Sequence, residues 1–230
     1  MKKLLLLSNS TLPGQPYLGW PKSHINEFLG EVREVLFIPY AAVSFSYDEY
    51  EKMVANALAE IGVKVTSIHH AENPIEAIEN AASIFVGGGN TFHLLYQLQS
   101  KNLVDAIVKK VNEGTPYAGW SAGANMACPT IKTTNDMPVI EPLSFNALGL
   151  IDFQINPHYT EKTIEGHGGE SRLQRLKEYA SINEIPVACL PEGFGFSIYG
   201  SEITLIGSEE IKVIKEGDQV ATLSPGVVSI

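Results

Sequence analysis

The chain has 230 residues, 44% of them hydrophobic and 18% charged, and a formal charge of −10 at pH 7. That composition can bury a large core, and a single domain spanning residues 1–230 is the expectation. The negative balance argues against a general nucleic-acid or membrane-surface role, because both partners are polyanions, and no apolar run reaches the ~20 residues that a membrane span needs.

Met1-Lys2-Lys3 is followed by only four leucines before Ser8-Asn9-Ser10. A secretory signal needs a longer apolar stretch, so Lys3–Leu7 reads as a first buried strand. Further apolar runs at Glu34–Ile38, Val63–Ile68, Ser83–Val86 and Thr115–Ala118 read as strands. Helical spacing of apolar residues appears between them, over Tyr47–Ile61, Asn90–Gln99 and Leu103–Glu113, the last stopped by Gly114 and Pro116. This alternation predicts an α/β fold, a mostly parallel sheet with helices on both faces. After residue 186, short runs at Pro186–Leu190, Phe196–Ile198, Glu202–Ile206, Lys212–Ile214 and Val220–Leu223 predict an antiparallel C-terminal extension. Only two cysteines, Cys128 and Cys189, occur, far apart in a chain that shows no secretory signal, so no disulfide framework is expected and both are expected to be buried thiols in a reducing cytoplasm.

The strongest chemical signal is Gly119-Trp120-Ser121-Ala122-Gly123, between a strand and a helix-compatible segment. Such a nucleophile elbow turns sharply on its glycines and presents the Ser121 hydroxyl. Gly87-Gly88-Gly89-Asn90 follows another strand, so the amide of Gly88 or Gly89 could join that of Ala122 as an oxyanion donor. A serine nucleophile needs a base, and His158 follows the strand-like Phe153–Pro157, where an α/β sheet delivers catalytic side chains. His24, His69, His70 and His93 read as surface or structural residues, and His167, between glycines, as part of a substrate loop. Two carboxylates compete to orient the imidazole. Asp136 lies in the polar segment Thr133–Pro138, and Glu192 ends an apolar strand in Leu190-Pro191-Glu192-Gly193.

These segments resemble the peptidase E family, serine peptidases related in fold to the class I glutamine amidotransferases. The likeness is carried by Leu5–Thr11, Phe37-Ile38-Pro39, Val86–Phe92, Gly119–Asn125, Cys128–Ile131, Thr133–Pro138, Gln154–His158 and Leu190–Gly193. It implies hydrolysis of dipeptides with an N-terminal aspartate, without a metal or other cofactor, with Ser121 as nucleophile and His158 as base. Asp136 and Glu192 both sit in family-like motifs, so the third member stays open. An aspartate-reading pocket in so acidic a chain needs a local cation. The resemblance tilts that role to Arg172, which shares a helix face with Arg175 in Ser171–Leu176. The expected partner is therefore a small peptide, bound by a monomer or homodimer. A cyanophycinase-like β-aspartyl hydrolase and a non-catalytic binder of an acidic metabolite are the competing readings. An amidotransferase-like enzyme would need a cysteine at the elbow, and Cys128 lies seven residues beyond Ser121.

Overall fold

The leucines of β1 (Lys3–Leu7) alternate in direction, and both directions are buried. Leu4 and Leu6 enter one apolar cluster while Leu5 and Leu7 enter another, so β1 is a central strand covered on both faces. This computed structural model describes residues 1–162, 168–215 and 219–230.

Beside β1 run β2 (Glu34–Ile38), β3 (Lys64–Ser67), β4 (Ile84–Val86) and β5 (Tyr117–Trp120). These five strands are mutually parallel in the order β1-β5-β4-β2-β3. Their helices divide between the faces. α1 (Lys22–Leu29) and α2 (Tyr47–Ala59) pack on the side of Leu5, Phe37 and Trp120. On the side of Leu4, Ile38 and Tyr117 lie α3 (Pro74–Glu79), α4 (Thr91–Ser100), α5 (Val104–Asn112) and α6 (Ala122–Met126). A short strand, β6 (Gln154–Asn156), and one more helix, α7 (Arg172–Asn183), follow.

The C-terminal strands divide between two sheets instead of forming one extension. β8 (Gly195–Tyr199), β9 (Glu202–Ile206) and β12 (Gly226–Val228) continue the main sheet antiparallel from β1, giving it eight strands. β7 (Val187–Cys189), β10 (Ile211–Ile214) and β11 (Val220–Leu223) join β6 in a four-stranded sheet in which β6 and β7 are parallel. Burial explains the split. Ala188 and Val213 face the main core, while Val187, Cys189 and Ile214 cover Leu176 and Ala180 of α7. Among the described residues no helix is long and apolar enough to cross a membrane.

Candidate active site

β5 ends at Trp120, and the chain turns through Ser121 into α6. Ser121 adopts φ 55° and ψ −113°, a conformation that costs a non-glycine residue about 1–3 kcal/mol. Its neighbours hold it there. The Ser121 amide donates to the Leu7 carbonyl at 2.9 Å, and the Ser121 carbonyl accepts from the amides of Ala124 and Asn125. The glycines of the elbow permit close backbone packing, since a Cβ on Gly123 would lie 2.1 Å from the Val86 carbonyl oxygen.

The imidazole of His158 meets this serine. Its Nε2 lies 2.8 Å from Ser121 Oγ, and its Nδ1 lies 2.9 Å from Glu192 Oε1. Both ends of the ring are thereby engaged, and the tautomer with its proton on Nδ1, facing the carboxylate, leaves Nε2 as an acceptor toward the serine hydroxyl. The His158 and Glu192 side chains keep 39% and 49% of their accessible surface, so water screens this pair much more than it would a buried one.

Asp136 stands elsewhere. Its Oδ2 accepts the amide of Thr91 at 2.7 Å and the Thr91 hydroxyl at 2.6 Å, so it places negative charge at the N-terminus of α4. The residue beside it supports the histidine, because Asn135 Nδ2 donates to the Pro157 carbonyl at 2.7 Å. Around the serine, the amides of Gly88 and Ala122 make no hydrogen bond to the described residues, and Ala122 opens α6. A Cβ on Gly88 would sit 3.0 Å from that of Ser121, so this loop borders the serine closely. Gly89 has φ 136° beside the Ala41 carbonyl, a position closed to any side chain.

The sequence reading missed a residue that joins these parts. Ser8 Oγ accepts the His158 amide and donates to the Leu190 carbonyl, each at 2.8 Å. Next to it, Asn9 Oδ1 accepts the Gly193 amide at 2.8 Å. One polar pair at the end of β1 thus seats both the histidine and the segment carrying Glu192. The available signal was their position, since polar side chains just past the C-terminal end of a central parallel strand face the usual site.

The model of peptidase family S51 matches residues 4–206. The chain belongs to this family. Among curated relatives, a peptidase E from Nostoc sp. is 50% identical over 220 residues, covering 95% of this chain and 91% of the relative. A peptidase E from Shigella flexneri serotype 5b is 46% identical over 225 residues, covering 97% and 98%. A solved peptidase from an acI-B1 Actinobacterium superposes with a TM-score of 0.72 over 100% of this chain and 97% of that one, at 17% identity. A candidate peptidase E from Listeria monocytogenes EGD-e gives 0.69 at 23% identity, covering 90% and 100%. At these identities the two structures bear on the fold alone, which is the α/β arrangement expected from the alternation of strands and helices.

In this S51 chain Arg172 opens α7 beside the histidine, and its Nη1 donates to the His158 carbonyl at 2.5 Å. Burial first, and then Arg175, push its guanidinium below the ordinary arginine value. Arg175 reaches the Glu170 carbonyl at 3.3 Å. Among the described residues no carboxylate pairs with either arginine. Two cations in the first turn oppose the helix dipole, an arrangement that an anion would relieve. His167 lies outside the described residues.

Cys128 presents no reactive thiol. It is fully buried, its Sγ accepts the Ile155 amide at 3.2 Å, and burial pushes its thiol up to about 12. Trp120, beside the serine in sequence, is core. It stacks on Phe37 and donates Nε1–H to the Tyr50 hydroxyl at 3.1 Å.

Proposed function

We propose that this peptidase is a serine dipeptidase that hydrolyses Asp-Xaa through an acyl-enzyme. The observation that carries the reading is the continuous relay from Ser121 Oγ through His158 to Glu192, at 2.8 and 2.9 Å. Ser121 Oγ attacks the carbonyl carbon of the N-terminal aspartyl residue while His158 Nε2 takes its proton. Glu192 holds the imidazole in the required tautomer and offsets the charge it gains. The tetrahedral oxyanion receives N–H groups from Ala122 and from Gly88 or Gly89. His158 then returns the proton to the leaving amine, the C–N bond breaks, and a water activated by the same imidazole releases aspartate from Ser121. Arg172, with Arg175 behind it, receives the substrate's side-chain carboxylate. The names of the curated relatives, both peptidase E, support this choice of chemistry.

The test compares wild type, Ser121→Ala and Arg172→Gln on Asp-Leu, Asn-Leu, a β-aspartyl dipeptide and a longer Asp-initiated peptide. Loss of the serine is expected to lower kcat on the order of 10⁶-fold. Arg172→Gln should cut kcat/KM for Asp-Leu about 100-fold and leave Asn-Leu nearly unchanged. Turnover that survives in Ser121→Ala would sink the nucleophile. A preference of wild type for the β-aspartyl substrate would move the specificity to the cyanophycinase-like reading, and tight binding of Asp-Leu without cleavage would make the chain a binder.

A further inference from the structure

His69 and His70, which the sequence presents as surface or structural histidines, converge with two carboxylates. Asp48 and Glu51 lie three residues apart in the first turns of α2, on the face toward the 3-10 turn Ile68–His70 that follows β3. His69 Nε2 is 2.9 Å from Asp48 Oδ1, and His70 Nε2 is 3.4 Å from the same oxygen and 2.8 Å from Glu51 Oε2. One atom from each of the four residues lies within 4.8 Å of all the others. We propose that Asp48, Glu51, His69 and His70 form a binding site for a single zinc-like divalent transition cation, separate from the peptidase centre.

Spacing, charge and support all fit this assignment. Zinc bonds of 2.0–2.2 Å in a tetrahedron hold ligand atoms ~3.3 Å apart, within the range of these contacts. Two carboxylates and two neutral imidazoles balance a divalent charge, and imidazole ligands select zinc-like ions over calcium or magnesium, which prefer oxygen alone. The outer groups are already placed. Buried Ser67 sits 2.6 Å from His69 Nδ1 and 3.4 Å from the Phe37 carbonyl, so Nδ1–H can donate to the hydroxyl, which donates onward, leaving Nε2 free to ligate. The Ser67 amide donates to Glu51 Oε1 at 2.8 Å and turns the other oxygen toward His70.

Without a cation, hydrogen bonds join the same atoms. A metal would take the place of these hydrogen bonds. The site would tie the start of α2 to the end of β3, the edge strand of the main sheet.

Zinc is titrated calorimetrically into the chelator-treated full chain, with a thermal melt on each sample. Expected are one zinc per chain and a Tm that rises with zinc concentration. His70→Ala and Asp48→Asn, both at exposed side chains, should abolish the saturable binding and the Tm rise while melting like wild type in chelator. Ser67→Ala should weaken binding by about 10- to 100-fold. His158→Ala should bind as wild type does. Absence of saturable binding, binding that survives both ligand variants, or binding lost instead in His158→Ala would each overturn the assignment; the first would leave the cluster as a set of ion pairs. None of these readouts depends on peptide hydrolysis.

Discussion

Glu192 and Asp136 illustrate how two carboxylates in similar motifs can differ in chemical opportunity. Glu192 Oε1 is in hydrogen-bond contact with the catalytic candidate His158, whereas Asp136 holds the first amide of α4. Glu192→Gln should therefore lower kcat, on the order of 10²-fold, with little change in stability. The loss should fall short of the ~10⁴-fold seen for a buried triad carboxylate, because this pair is open to water. Asp136→Asn should cost about 1 kcal/mol of stability with kcat near wild type. Kinetics and urea midpoints on both variants check the assignment, and a reversed pattern would hand the orienting role to Asp136. Ser121, Gly88, Gly89 and Ala122 were visible as candidates because strand-to-helix glycine motifs are local. The choice between the carboxylates was not, since it depends on contacts of His158 with a residue 34 positions away. The zinc-like cluster was hidden for the same reason: Asp48 and His69 are separated by 21 positions and by a whole helix.

At the scale of elements, α7 carries Arg172 and Arg175, the proposed readers of the substrate carboxylate. Ser171 caps it, accepting the Gln174 amide while the Gln174 side chain accepts the Ser171 amide. Ser171→Ala should cost about 1 kcal/mol of stability. It should also loosen the turn bearing Arg172, raising KM for Asp-Leu with a smaller change in kcat; steady-state kinetics against Asn-Leu would separate this from general damage. Helices with a regular apolar stripe were legible, and α2, α4 and α5 lie within two residues of their expected bounds. α1 and α3 were not expected. They span only 8 and 6 residues, too short for a periodic signal to stand out. The second sheet was equally hidden, because β6 and β7 are three-residue strands with every residue buried, and alternation cannot tell which layer such a strand joins.

Across the whole molecule, two separate apolar clusters place both cysteines out of reach of solvent, Cys128 in the main core and Cys189 of β7 beneath α7. Burial pushes each thiol up to about 12, so at neutral pH neither presents a thiolate. Labelling by a thiol reagent should therefore track global unfolding, with the same urea midpoint as circular dichroism; rapid labelling in native buffer would reveal a core that opens locally. The clasp at Ser8 has a consequence in time. Its partners are His158 and Leu190, 150 and 182 positions downstream, and Asn9 meets Gly193 across 184. β1 itself lacks one neighbour until β8 exists. A ribosome making this chain therefore releases Ser121 long before His158 can be seated, so the proposed relay comes together only after most of the chain has left the exit tunnel.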